Sequence, residues 1–99
     1  MVTLVNVPRY IALMKNYGSK PFLTKWLINE GAYVEAEQPL VVVETTKTAL
    51  EIVAPASGLV FILRQAGQNV AIGDTLGMIA NSKEEIADFQ TRLMNYPLN

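Results

Sequence analysis

The stretch VVVETTKTALEIVAP, residues 41–55, decides how this chain folds. Two runs rich in Val, Leu and Ile flank Thr46-Lys47. A two-residue turn there pairs Thr45 with Thr48, Glu44 with Ala49, Val43 with Leu50, Val42 with Glu51 and Val41 with Ile52. Side chains alternate across a strand, so this register sends Val41, Val43, Leu50 and Ile52 to one face, and Glu44 and Glu51 to the other. No charge is buried, and Lys47 stands at the tip, as far from the core as the hairpin allows. Two-residue hairpins usually take Asn-Gly or a similar pair, because primed turns need positive φ. Thr46-Lys47 has neither Gly nor Asn, which predicts an ordinary type I turn.

Working outward, short apolar runs at residues 2–7, 23–28, 40–45, 48–54, 58–63 and 75–80 are separated by clusters of Gly, Pro, Asn and Ser. That is the pattern of a small all-β sandwich or barrel. An internal repeat organises it. With a shift of 36, Leu27 meets Leu63, Gly31 meets Gly67, Val34 meets Val70 and Leu40 meets Leu76. Each copy is too small to bury its own apolar face, so two copies packed face to face share a core in a quasi-twofold sandwich of two short antiparallel sheets.

The first copy carries an extra segment, residues 9–21, where the second has only Ala56-Ser57. It reads as a surface loop or short helical turn, mixing Arg9, Lys15 and Lys20 with Tyr10 and Tyr17. Near the end, Ser82-Lys-Glu-Glu85 has the form of a capping box, and Ile86, Phe89 and Leu93 follow at helical spacing. Residues 82–95 therefore read as a short amphipathic helix docked on the sandwich, since a free helix of this length is marginal in water. The division expected is residues 1–80 as the β domain and 81–99 as helix and tail.

Composition narrows the chemistry. Ninety-nine residues make one domain, and a net charge of −1 lacks the basic excess of a nucleic-acid binder. With no Cys and no His, the chain has no thiol nucleophile, no thiolate metal site and no imidazole base. No catalytic residues and no metal are expected, and no run approaches a membrane span. The start does not read as a secretory signal, so a cytoplasmic location is expected. A lysine that acts alone as a nucleophile needs burial or a neighbouring cation, and the tip offers neither. An amine on a rigid, exposed turn instead suits covalent attachment of a prosthetic group.

VEAEQPLVVVETTKTALEIVAPASGLV resembles the lipoyl domains of 2-oxoacid dehydrogenase complexes and, more broadly, the biotinyl/lipoyl attachment superfamily, whose fold is a flattened barrel-sandwich hybrid. In that family a Gly stands sixteen residues before the modified lysine and another eleven after it, and Gly31 and Gly58 fill both places around Lys47. Glu44-Thr45-Thr46-Lys47 matches the Glu-Thr-x-Lys core, and Pro55 to Gly58 the Pro-x-x-Gly turn. The residue before the lysine is commonly Asp and the one after it Ala, where this chain has Thr46 and Thr48. Biotin carriers have Met on both sides.

The resemblance implies that Lys47 carries lipoic acid, attached by a lipoyl ligase or transferase, and presents it to a 2-oxoacid dehydrogenase, an acyltransferase and dihydrolipoamide dehydrogenase. The extra segment becomes a candidate recognition surface. The domain is expected to be monomeric, within a dihydrolipoamide acyltransferase or standing alone. The alternatives are a biotin carboxyl carrier and a lipoyl-like binding module with an unmodified lysine.

Overall fold

The computed structural model describes residues 1–13 and 21–94. In chain order the strands are β1 (Thr3–Asn6), β2 (Phe22–Trp26), β3 (Tyr33–Val34), β4 (Pro39–Glu44), β5 (Ala49–Val53), β6 (Gly58–Ile62) and β7 (Thr75–Ala80), followed by the helix α1 (Lys83–Met94). They form two antiparallel sheets, ordered β1-β7-β6-β3 and β2-β4-β5. The six expected strands are all present: β1, β5 and β6 are shorter than expected, β2 and β4 begin and end earlier, and β7 has the expected bounds. Sequence reasoning missed β3, because two residues are too few for alternation to show. Among the described residues the sheets remain two layers and do not close into a barrel.

Val5, Leu23, Val34, Val41, Val43, Ile52, Val60, Leu76 and Ile79 fill the space between the layers, and no polar residue is buried among the described ones. Each such side chain contributes about 1.5–3 kcal/mol on leaving water, so this one core is what offsets the ordering of the chain. Trp26 ties the layers together at one end: its indole N–H donates to the carbonyl of Arg64 at 2.8 Å.

The repeat is visible bond by bond. Leu27 N–H donates to Leu40 O at 2.7 Å, as Leu63 N–H does to Leu76 O at 2.9 Å. Gly31 N–H reaches Val60 O at 2.8 Å, and Gly67 N–H reaches Leu23 O at 2.8 Å. The matched glycines share a left-handed backbone, with φ of 80° at Gly31 and 93° at Gly67.

At a further matched pair the two copies differ. Gly73 has φ of 90°, and its counterpart Glu37 has φ of 76° while carrying a side chain. A β-carbon costs about 1–2 kcal/mol in this region, and glycine returns about 0.5–1 kcal/mol of that as unfolded-chain entropy. Glu37→Gly is therefore expected to raise stability by up to about 1 kcal/mol, measured as a shift in the urea midpoint at unchanged m-value.

Two expectations are refined. The extra segment begins with a 3-10 turn, Arg9–Leu13, whose Ile11 is fully buried in the core while Arg9 and Tyr10 stay exposed. The segment is thus not a pure surface loop: an apolar side chain within one short turn of β1 can still seal the end of the core. Lys15, Tyr17 and Lys20 lie outside the described residues. At α1, Ser82 Oγ accepts from Glu85 N–H at 3.2 Å as expected of a cap. Glu85 Oε1, however, accepts from the amide of Asn81 at 2.9 Å, one residue further back than a standard capping box. The other oxygen of that carboxylate pairs with the amino group of Met1. Ile86 docks on Met78 and Ala80, with Val2, Phe61 and Phe89 around them. Asn95 lies outside the described residues.

The Met1 amino group, followed by the Asn81 amide, holds the Glu85 carboxyl below the usual carboxylate range. A depressed folded pKa gives stability that is present above the unfolded value and lost as pH falls through the folded one. The thermal midpoint is expected to drop more steeply below about pH 4.3 in the native chain than in Glu85→Gln, which lacks that titration. Parallel pH profiles of the two would exclude a role for this carboxylate.

Candidate functional site

The β4–β5 hairpin has the expected register: Val41 opposite Ile52, Val42 opposite Glu51, Val43 opposite Leu50 and Glu44 opposite Ala49. Thr45 N–H closes the turn on Thr48 O at 2.8 Å. No residue of the tip has positive φ, so the primed turns are excluded, as the absence of Gly and Asn requires. The Thr45 hydroxyl takes over part of the turn's hydrogen bonding. Its oxygen accepts from Thr48 N–H at 3.2 Å and, at the limit of range, from Lys47 N–H at 3.4 Å. This is the hydroxyl-to-backbone turn that Ser and Thr favour. Lys47 and Thr46 are exposed, and Thr45 and Thr48 are half-buried beneath them. Among the described residues the Lys47 ammonium enters no ion pair.

Glu44 leaves β4 on the outer face, just below the tip, and its carboxylate accepts from the Thr24 hydroxyl at 2.6 Å. Gly31 and Gly58 are not at the tip. Gly58 opens β6 opposite Val34, and Gly31 makes the turn that leads into β3. Their spacing from Lys47 reflects the pairing of the other sheet. Of the residues marked by the sequence, the fold brings Glu44, Thr45, Thr46, Lys47 and Thr48 together and sends both glycines elsewhere.

The quasi-twofold also explains the polarity around the lysine. Leu59 opposite Ala80, Val60 opposite Ile79 and Phe61 opposite Met78 in one sheet match Phe22 opposite Glu44, Leu23 opposite Val43 and Lys25 opposite Val42 in the other. In the first sheet Phe61, Met78 and Ala80 pack under α1. Among the described residues no helix covers their counterparts Lys25, Val42 and Glu44, and Lys25 and Glu44 are exposed. One copy is apolar where a helix covers it; the other is polar where the lysine end is open to solvent.

Thr24 is the residue that sequence reasoning passed over. The sequence carried no signal of it: at the shift of 36 Leu23 meets Leu59, and only the strand pairing matches Leu23 with Val60 and so reveals the extra residue before Lys25. A groove of about 350 Å3 lies between β1 and β5, lined by Leu4, Tyr10, Ile52 and Val53 among others, and no tip residue lines it. Among the described residues no group of His, Cys, Asp or Glu is arranged to hold a metal, and no helix is long and apolar enough to cross a membrane.

With the lysine tip and the two sheets in place, the likeness to known proteins is specific. Residues 4–79 match the model of the Biotin_lipoyl family, described as biotin-requiring enzyme. The chain is 36% identical over 66 residues to the dihydrolipoyllysine-residue succinyltransferase component of the 2-oxoglutarate dehydrogenase complex of Rickettsia bellii, a match to 66% of this chain and 16% of that protein. It is 32% identical over 57 residues to acetyl-CoA carboxylase 2 of Oryza sativa subsp. japonica, covering 58% of this chain and 2% of the other. The solution structure of the lipoyl domain of the Azotobacter vinelandii 2-oxoglutarate dehydrogenase complex superposes with a TM-score of 0.57 at 21% identity, over 77% of this chain and 95% of that one.

The fold defines a biotin/lipoyl attachment domain, and the chain belongs to the Biotin_lipoyl family. It spans a small fraction of the length of the curated relatives it matches.

Proposed function

We propose that Lys47 carries lipoic acid in amide linkage and that the domain is a swinging-arm carrier serving a 2-oxoacid dehydrogenase-type complex. The observation that carries this is the tip itself: an exposed lysine with no ion pair among the described residues, on a turn pinned by Thr45, directly after the Glu44-Thr45-Thr46 run. The Rickettsia and Azotobacter proteins, whose names specify dihydrolipoyllysine and lipoyl, support lipoate as the group. The site fits such a load. Converting the ammonium to a neutral amide breaks no ion pair among the described residues, and the open outer face leaves the stem free to move.

When bound, the group supplies the dithiolane sulfur chemistry of acyl and electron transfer that a chain without cysteine lacks. The chain's own contribution is presentation. The β4–β5 ladder holds the attachment point rigidly, and tethering keeps the group at high effective concentration among the active sites it visits. Glu44, Thr46 and Thr48 form the surface that a lipoyl ligase or transferase meets first. The working partners are a 2-oxoacid dehydrogenase, an acyltransferase and dihydrolipoamide dehydrogenase, and the domain itself performs no catalysis.

Coexpression with a lipoyl ligase and, separately, with a biotin ligase, followed by intact-mass and peptide mass spectrometry, tests the reading. A lipoyl mass increment on Lys47 is expected. A biotin increment in its place would make the domain a carboxyl carrier, as the similarity to acetyl-CoA carboxylase 2 would then imply. No increment with either would leave a binding module.

A further inference from the structure

The first strand of each repeat should be equivalent, yet between matched pairs β2 holds one residue that β6 lacks. Leu23 opposite Val43 corresponds to Val60 opposite Ile79, and Lys25 opposite Val42 corresponds to Phe61 opposite Met78. Thr24 falls in the register shift between Leu23 and Lys25 and has no counterpart in β6. Extra residues of this kind re-aim a side chain and recur beside functional sites. Here the hydroxyl of the extra residue donates to Glu44 at 2.6 Å, a short bond of the charge-assisted type. Among the described residues Glu44 has little else to orient it. Its cross-strand neighbour Ala49 ends at a methyl group, and Phe22 on the other side is apolar.

We infer that Thr24 is a positioning residue for the lysine tip: the β2 bulge exists to hold the Glu44 carboxylate in one orientation below Lys47, where the modifying enzyme reads it. The inference rests on the carrier reading. It explains why quasi-symmetry breaks in β2 and not in β6. The matching place in the other sheet, at Ala80, is packed under α1 and has no carboxylate to orient. It also adds a side-chain link, at the residue three before Lys47, to the backbone ladder that joins β2 to the attachment hairpin.

The test compares native protein with Thr24→Val, which keeps shape and loses the donor, and Thr24→Ser, which keeps the donor. Steady-state modification by a purified lipoyl ligase is expected to show an apparent KM for the domain raised about fivefold in Thr24→Val, with kcat within about twofold and Thr24→Ser near native. In a Glu44→Ala background, Thr24→Val should add nothing further, because the two residues act as one unit. Equal loss in both backgrounds, or no loss in Thr24→Val, overturns the inference. Amide hydrogen exchange at residues 45–48 reads the coupling without any modification: about fivefold faster exchange in Thr24→Val and not in Thr24→Ser is expected. Unchanged exchange overturns the inference even if the native domain proves to accept no group, the result that would instead sink the carrier reading.

Discussion

Gly58→Ala is expected to destabilise the domain by about 3–5 kcal/mol, a large share of the roughly 5–15 kcal/mol that holds a domain of this size together. Two costs add. Gly58 has φ of 151°, a conformation almost confined to glycine, and leaving it or straining into it costs about 1–3 kcal/mol. A β-carbon there would also lie 2.6 Å from the carbonyl oxygen of Ala80 and 2.9 Å from the Ile79 side chain. The oxygen belongs to backbone, which cannot swing aside. The chain must part β6 from β7 near the Leu59 and Ala80 pair, at an overpacking cost of about 1–3 kcal/mol. Gly31→Ala is the control. Gly31 also has positive φ, at 80°, but a β-carbon there meets nothing within 4 Å, so only the backbone term of about 1–2 kcal/mol applies. Urea denaturation of both variants should rank Gly58→Ala well above Gly31→Ala. Equal losses would show that close approach to β7 is not what demands glycine.

Lys47→Arg should separate function from stability completely. The guanidinium keeps the charge and the exposure of the native side chain. An exposed substitution without packing partners changes stability by no more than about 0.5 kcal/mol. Under the proposed function, however, an arginine stays protonated and cannot accept the amide-forming transfer, so modification should fall below detection. Intact mass after coexpression reads the second effect and thermal denaturation the first. A mass increment that survives in Lys47→Arg would move the attachment site to another lysine. A loss of several kcal/mol would mean that Lys47 has a structural role its exposure does not suggest.

The hairpin and the repeat could be read before any coordinates because both are written in local pattern. Alternation places Val41 and Val43 inward and Glu44 outward in only one register, and a Gly at each matched turn marks where the two copies superpose. β3 escaped notice because its strand character comes from its partner: Tyr33 and Val34 pair with Leu59 and Gly58, residues far along the chain. The left-handed Glu37 was equally hidden, since nothing in its own identity announces a conformation imposed by the turn around it.

By itself, then, the sequence determined the sandwich, the docked helix and a solitary amine on an exposed turn, because periodicity and turn chemistry act over a few residues. Only the tertiary structure decided what surrounds that amine. It sent Gly31 and Gly58 to the pairing of the other sheet, buried Ile11 at the end of the core, and brought Thr24 to Glu44 across neighbouring strands. Such contacts join residues distant in the chain, and the last depends on a one-residue difference in register that emerges only when both sheets are laid side by side.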